Sequence, residues 1–192
     1  MGEIDFYPEL CEKFKKYISS YLPEGTKVES SYSKPLPEMV HEIEDKMGGI
    51  SSVSKTYMPS LKLDILFGFK IRQSEIRYVL IEVKYSNNLS LVDFSQLLGY
   101  LQVAKNIKIG ILLLVARKGG KNALSNDFAK IVDMKELPME WALLLKEAEG
   151  EKKYDFRVGI CYYVPSNGID WFDTKRLKGI DGFETLATAI SP

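Results

Sequence analysis

Two neighbouring segments set the architecture of this chain: Leu61-Lys62-Leu63-Asp64-Ile65-Leu66-Phe67-Gly68-Phe69 and Arg77-Tyr78-Val79-Leu80-Ile81-Glu82-Val83-Lys84-Tyr85. Both alternate in polarity and are rich in β-branched and aromatic residues, so each is predicted to be a strand. The residues between them include Arg72-Gln73-Ser74-Glu75, which are polar and too few to hold a helix. The sequence therefore predicts an antiparallel hairpin.

The register of this hairpin brings two acidic residues together. A turn centred on Gln73 places Asp64 opposite Glu82, and side-chain alternation puts both on the same face as Lys62 and Lys84. The other face is predicted to enter the core with Leu63, Ile65, Phe67, Val79, Ile81 and Val83. Carboxylates directly across a ladder repel by roughly 3 kcal/mol at an effective dielectric constant of about 20.

A divalent cation between the two carboxylates would reverse the sign of that interaction. Oxygen ligands of this kind favour a hard ion, so Mg²⁺ or Mn²⁺ is the natural candidate. The alternative is a solvated face, on which Asp64 pairs diagonally with Lys84 and Lys62 pairs with Glu82.

The bulk composition is that of an ordinary globular protein. The chain has 192 residues, 45% hydrophobic and 27% charged, which fits one domain spanning residues 1–192. Lysine and arginine number 26, as do aspartate and glutamate, so the net charge of zero does not favour indiscriminate binding of nucleic acid. A local basic patch could still act.

Cysteine content and apolar runs bear on location. Cys11 and Cys161 lie far apart and form no pattern of a disulfide framework, a zinc site or an iron–sulfur cluster. The N-terminal residues lack the features of a secretory signal, and the longest apolar run, Ile109–Ala116, is too short to span a bilayer. We therefore expect an intracellular, cytoplasmic protein with no membrane partner.

Periodicity along the rest of the chain predicts further helices and strands around the hairpin. The predicted helices are Ile4–Tyr21, Glu38–Met47, Ser90–Lys105, Asn122–Val132 and Pro138–Glu147. The predicted additional strands are Ile50–Tyr57, Ile107–Ala116 and Tyr154–Val164. The continuously apolar strand from Ile107 suits a central position, and the helix before it suits a parallel crossover. Together these elements predict an α/β domain with a mixed central sheet and helices on both faces.

The order Asp64, then Glu82-Val83-Lys84, resembles the PD-(D/E)xK nuclease superfamily, whose fold includes restriction endonucleases and archaeal Holliday-junction resolvases. Gln96 and Tyr100 match the Gln-x-x-x-Tyr element of its RecB-like exonuclease branch. The resemblance covers residues 38–116, an α-β-β-β-α-β core, and leaves 117–192 as a C-terminal extension. Leu63, rather than proline, precedes Asp64.

The resemblance implies metal-dependent hydrolysis of DNA phosphodiester bonds, with DNA as the partner. Asp64, Glu82 and the backbone carbonyl of Val83 would hold Mg²⁺ or Mn²⁺, which lowers the pKa of a bound water. Lys84 would position the attacking water or stabilise charge developing on the phosphate.

The resemblance also implies supporting residues. Gln96 would orient Lys84 or the water, and Tyr100 would touch the substrate or brace the helix. An upstream ligand is left open among Glu9, Glu12, His41 and Glu42, of which Glu42 is favoured as a further metal ligand.

Several alternatives stay open at this point. The resolvase branch implies a homodimer on a four-way junction, whereas the RecB-like branch threads a single-strand end, and Gln96 with Tyr100 favours the second. A catalytically inactive module of the same fold would bind nucleic acid or a protein partner. A purely structural α/β domain would merely solvate the charged face.

Overall fold

The computed structural model describes residues 2–48, 58–72, 75–104, 107–116, 123–133, 156–172 and 179–191. Within these ranges a short 3₁₀ turn, Glu3–Phe6, leads into the first helix. The helices are α1 (Tyr7–Ser19), α2 (Leu36–Met47), α3 (Leu91–Val103), α4 (Asn126–Asp133) and α5 (Phe183–Ile190). The strands are β1 (Lys27–Pro35), β2 (Lys62–Lys70), β3 (Arg77–Ser86), β4 (Ile109–Ala116), β5 (Arg157–Val164) and β6 (Gly168–Trp171).

The strands form one mixed sheet in the order β1-β2-β3-β4-β5-β6. β1, β2 and β3 run antiparallel to one another, β3, β4 and β5 run parallel, and β6 returns antiparallel to β5. Since parallel neighbours need a crossover connection, α3 passes over the sheet between β3 and β4. The predicted α/β class, a mixed central sheet flanked by helices, is confirmed.

Two apolar layers cover the two faces of the sheet. On one face, α1 and α5 bury residues such as Phe14 and Leu186 against the sheet. On the other face, α2, α3 and α4 contribute residues such as Ile43, Leu97 and Phe128. The sheet is therefore buried on both sides, as helices on both faces require.

Strand β4 occupies the centre of the sheet, as its apolar sequence predicts. Ile111 and Leu113 pack on the α1 side, whereas Leu112 and Leu114 pack on the α3 side. Gly110 lets α3 approach closely, because a Cβ there would lie 2.7 Å from a methyl carbon of Leu101. Gly110 therefore fixes how closely α3 packs on β4.

The first strand of the sheet differs from the prediction. The predicted strand Ile50–Tyr57 lies outside the described residues, and the first strand of the sheet is β1, Lys27–Pro35, for which no strand was predicted. This segment is polar because β1 is an edge strand with one neighbour, β2. Its last residue is a proline, a type confined to such edges because it donates nothing to the ladder.

The sheet also extends beyond the predicted core of residues 38–116. Strand β1 precedes that range, and β5 and β6 follow it in the same sheet. The predicted helix Pro138–Glu147 lies outside the described residues, whereas β6 and α5 were not predicted. In the part of the chain that the structure describes, no helix combines the length and apolar composition needed to cross a bilayer.

The β2–β3 hairpin has the predicted register, with Ile65 opposite Ile81 and Phe67 opposite Val79. The pairing ends at Ile65, so Asp64 lies just beyond the last rung. On the other side of β2, the ladder with β1 reaches Lys62 but skips the rung where Asp64 meets Ser33.

Ser33 explains why this rung is skipped. Its φ of 56° is left-handed, which interrupts the regular alternation of side chains along β1. On β2, Leu63 packs in the α2-side core, whereas Ile65 packs in the α1-side core. The prediction that Leu63 shares a face with Ile65 is therefore wrong, because it assumed an uninterrupted ladder.

Ser33→Gly should raise the free energy of unfolding by about 0.5–1 kcal/mol, because glycine adopts a left-handed φ without a Cβ penalty. Ser33→Val should lower it by about 1 kcal/mol or more, because a β-branched side chain resists this conformation. Chemical denaturation measures both values. The control is Ser30→Gly at a regular position of the same strand, which should destabilise; stabilisation by glycine at both positions would contradict this account.

Candidate active site

Asp64 lies where β2 and β3 part. If the ladder continued, Asp64 would pair with Glu82 and Leu63 would pair with Val83, but the Asp64 side chain bonds to Val83 instead. The amide N–H of Val83 donates to Asp64 Oδ2 at 2.8 Å. Because the N–H and C=O of one strand residue point to the same side, the Val83 carbonyl faces the same gap. The carboxylate thus satisfies a backbone group that the parting of the strands would leave unpaired.

Glu82, the residue before Val83, is buried, with 2% of its surface exposed. Burial raises its pKa, and the nearby Asp64 carboxylate raises it further, to about 7, although Lys84 opposes the shift. The two acidic residues that the sequence predicted to face each other are therefore close enough to perturb one another.

Lys84 is the cation of the site. Its Nζ donates to Glu82 Oε1 at 2.6 Å and to Gln96 Oε1 at 3.1 Å. Burial alone would lower the pKa of Lys84, but the hydrogen bond to Glu82 and the negative charges of Glu82, Asp64 and Glu3 raise it overall. Lys84 is thus held as an ammonium group beside two carboxylates.

Helix α3 supplies the next members of this hydrogen-bonded chain. Gln96 Nε2 donates to the hydroxyl of Tyr100 at 2.8 Å, one helical turn further on. The helix begins at the predicted capping box, in which the backbone N–H of Ser90 donates to Asp93 and that of Asp93 donates to the Ser90 hydroxyl. Five of the predicted site residues therefore lie together in the structure: Asp64, Glu82, Lys84, Gln96 and Tyr100.

Tyr7 and Glu3 belong to the site but were not predicted. The Tyr7 hydroxyl lies 2.8 Å from Asp64 Oδ1 and 3.1 Å from Glu3 Oε1. Glu3 is held in turn by the backbone N–H of Tyr85, which donates to its other oxygen at 2.9 Å. Burial and the charges of Asp64 and Glu3 raise the pKa of Tyr7 well above its usual value, so it stays a hydrogen-bond donor.

The sequence carried one signal for this pair. Glu3 and Tyr7 are four residues apart, the spacing of side chains on one helical face. The periodicity of the predicted helix Ile4–Tyr21 places Tyr7 on its apolar face, which gives no sign of a polar contact. Their contacts with Asp64 and Tyr85 are long-range and leave no local pattern.

Glu42, the favoured upstream ligand, has other partners. It accepts a hydrogen bond from Ser31 at 2.6 Å and pairs with Lys34, whose hydrogen bond lowers the pKa of Glu42. Within the described residues, no hydrogen bond or ion pair joins Glu42 to Asp64 or Glu82. The upstream acidic residue that is linked to Asp64, through the Tyr7 hydroxyl, is Glu3.

The other upstream candidates also lie elsewhere in the structure. Glu9 accepts a hydrogen bond from Tyr163 at 2.6 Å, and His41 pairs with Asp45 at 3.4 Å. Glu12 is exposed on α1.

The oxygen atoms that could act as metal ligands at the site suit a hard divalent ion. Asp64 and Glu82 supply carboxylate oxygens, and burial with excess negative charge raises the pKa of Glu82, as expected where a cation would relieve repulsion. Across the described ranges, no group of three or more histidine, cysteine, aspartate or glutamate side chains forms a ready metal site. Two carboxylates still suit Mg²⁺, which commonly keeps waters and substrate phosphate oxygens as its remaining ligands.

In comparisons with known proteins, no protein-family model, no curated protein and no solved structure matches the chain. The fold and the site define an α/β protein with a partly buried Asp–Glu–Lys cluster at the parting of two strands. Its function is therefore inferred from the chemistry of these side chains.

The metal-free protein should lose stability as pH rises between about 4.5 and about 7, because folding raises the pKa of Glu82 over that interval. Over this interval the folded state holds a proton that the unfolded chain has released. The free energy of unfolding therefore falls by at most about 1.4 kcal/mol per pH unit. Denaturation with chelator present, across this interval, measures the slope. Glu82→Gln should remove this part of the slope; identical slopes in both proteins would contradict the assignment.

Tyr7→Phe should lower the free energy of unfolding by about 1–2 kcal/mol, because it removes the donor to Asp64 and Glu3 and leaves these part-buried acceptors without it. Thermal and chemical denaturation measure the change. Tyr17→Phe on the same helix is the control, since the Tyr17 hydroxyl makes no hydrogen bond within the described residues, and it should cost less stability. A Tyr7→Phe variant as stable as the wild type would show that the hydroxyl contributes nothing.

Proposed function

We propose that this protein is a metal-dependent nuclease that hydrolyses DNA phosphodiester bonds. One observation carries the proposal: Asp64 and the buried Glu82 converge where β2 and β3 part, with the Lys84 ammonium 2.6 Å from Glu82. A structural surface would not need a buried carboxylate beside a second one, since that arrangement is costly without a cation. The order of these residues is also the one that resembles the PD-(D/E)xK nucleases.

Asp64 and Glu82 would hold the metal ion, together with the Val83 carbonyl, which faces the same gap. When bound, Mg²⁺ or Mn²⁺ would neutralise charge on the scissile phosphate and lower the pKa of a water. The Val83 N–H keeps Asp64 Oδ2 in place and leaves lone pairs of the carboxylate available.

Lys84 supplies the positive charge that the reaction needs beside the carboxylates. A compact ammonium group can orient the attacking water and stabilise negative charge that develops on the phosphate oxygens. Glu82 and Gln96 fix its direction from two sides, so little reorientation is needed during the reaction.

Two hydrogen-bonded chains support this centre from the two faces of the sheet. Gln96 and Tyr100 hold Lys84 from the α3 side. Tyr7 and Glu3 hold Asp64 from the α1 side, so these residues position the catalytic groups.

DNA would be the partner, and the protein would work inside the cell. A homodimer on a four-way junction and a chain acting on a single-strand end are the two forms of substrate recognition that the resemblance implies. The Lys84–Gln96–Tyr100 chain supports the second form, because it uses the Gln-x-x-x-Tyr element of the exonuclease branch.

Purified protein should cleave DNA in the presence of Mg²⁺ or Mn²⁺, and cleavage should stop with chelator. Asp64→Asn, Glu82→Gln and Lys84→Gln should each lower kcat by about 100-fold or more, because each removes charge needed in the transition state. Linear, circular, single-stranded and four-way DNA form the substrate panel. Asp45→Asn, an exposed residue paired with His41, is the matched control and should cleave like the wild type.

Folded Asp64→Asn protein that cleaves at the wild-type rate would refute the proposal. Wild-type protein that binds DNA tightly but cleaves none of the panel would favour the alternative, an inactive module of the same fold. A gel-shift or anisotropy titration run alongside the cleavage assay separates these results.

A further inference from the structure

An exposed aromatic ring lies at the rim of the candidate active site. Tyr32 sits on the edge strand β1, and 40% of its surface is exposed. Its partner across the ladder is Ile65, the residue that follows Asp64. The Tyr32 ring lies 6.2 Å from the ring of Tyr7 in an edge-on arrangement, and the Tyr7 hydroxyl contacts Asp64. One side chain thus separates Tyr32 from the carboxylate.

The contacts of Tyr32 do not account for its position. In the part of the chain that is described, its hydroxyl makes no hydrogen bond, although it lies close enough to Lys34 to contribute to the raised pKa of that ammonium group. The left-handed Ser33 follows it and ends the regular part of β1 at the same point. An exposed flat ring is therefore presented beside the site by a backbone conformation that serines adopt only at a cost.

The charge around the site bears on what an aromatic ring would add to the binding of a DNA strand. Within the described residues, the carboxylates of Glu3, Asp64 and Glu82 all act on the Lys84 ammonium group, so these four side chains together carry more negative than positive charge. The chain as a whole has zero net charge. A contact to the bases would add affinity that does not depend on positive charge, and base stacking on an aromatic ring is the common form of such a contact.

We propose that Tyr32 is a stacking subsite for an unpaired nucleobase beside the scissile phosphate. The inference rests on the proposed function and narrows its substrate to single-stranded or frayed DNA. In a duplex, both faces of each base are covered by neighbouring pairs, so a ring at the rim reaches a base face only where the nucleotide is unstacked.

Steady-state cleavage of single-stranded DNA with Mg²⁺ tests this subsite. Tyr32→Leu keeps apolar bulk against Tyr7 but removes the flat ring, and it should raise KM about tenfold while kcat changes by less than about twofold. Tyr32→Phe keeps the ring and should leave both constants near their wild-type values. Thermal denaturation checks that the variants are folded.

A matched residue and a matched substrate sharpen the test. Tyr21 is also exposed, at 52%, but it follows the far end of α1, about 20 Å along the helix from Tyr7. Tyr21→Leu should leave KM unchanged. An abasic strand of the same length carries the phosphates without the bases, so Tyr32→Leu and wild type should cleave it with the same KM.

The possible results separate failure of the stacking subsite from failure of the proposed function. Equal KM values for Tyr32→Leu and wild type on the normal strand would overturn the subsite, as would equal losses on the normal and abasic strands. Those results leave the proposed nuclease intact, because the wild type still cleaves. Wild-type protein that cleaves neither strand with Mg²⁺ or Mn²⁺ would instead refute the proposed function, and the subsite with it.

Discussion

The interaction between the buried Glu82 carboxylate and Asp64 is the constraint on which the account of this site depends. Burial of one carboxylate next to another raises the free energy of the ionised pair, and Lys84 compensates for only one of the two charges. A protein with no use for this arrangement could replace Glu82 by an apolar residue, like its neighbours Ile81 and Val83. The charge of this pair is the feature that the proposed cation-dependent reaction would use.

The rest of the fold keeps this pair in place. The β2–β3 ladder ends at Ile65, which frees Asp64 to accept the Val83 N–H. The skipped rung at Ser33 interrupts the β1–β2 ladder at the level of Asp64. Helices on opposite faces then brace the pair, with α1 acting through Tyr7 and α3 acting through Gln96. The site is thus anchored from both layers of the protein.

The sequence predicted the elements in which local pattern and tertiary role agree. The register of the β2–β3 hairpin follows from two strongly alternating segments joined by a short link. The central position of β4 follows from its unbroken apolar run, and the start of α3 follows from the capping box at Ser90. In each case the residues concerned are close in sequence, so their pattern alone fixes the outcome.

The elements that escaped prediction depend on distant contacts. Strand β1 is polar because it lies at an edge, and such a strand lacks the apolar pattern of a buried one. Leu63 and Ile65 lie on different faces at the level where both ladders of β2 are interrupted, opposite Ser33 of another strand. Glu3 and Tyr7 reach the site only through the packing of α1, across a wide separation in sequence.

Calorimetric titration of the purified protein with Mn²⁺ tests most directly whether Asp64 and Glu82 converge around a cation. The wild type and the Asp45→Asn control should bind the ion, and Asp64→Asn should bind it about tenfold more weakly or worse, because a ligand is lost. Absence of binding heat in the wild type, or equal affinity in Asp64→Asn, would contradict the account.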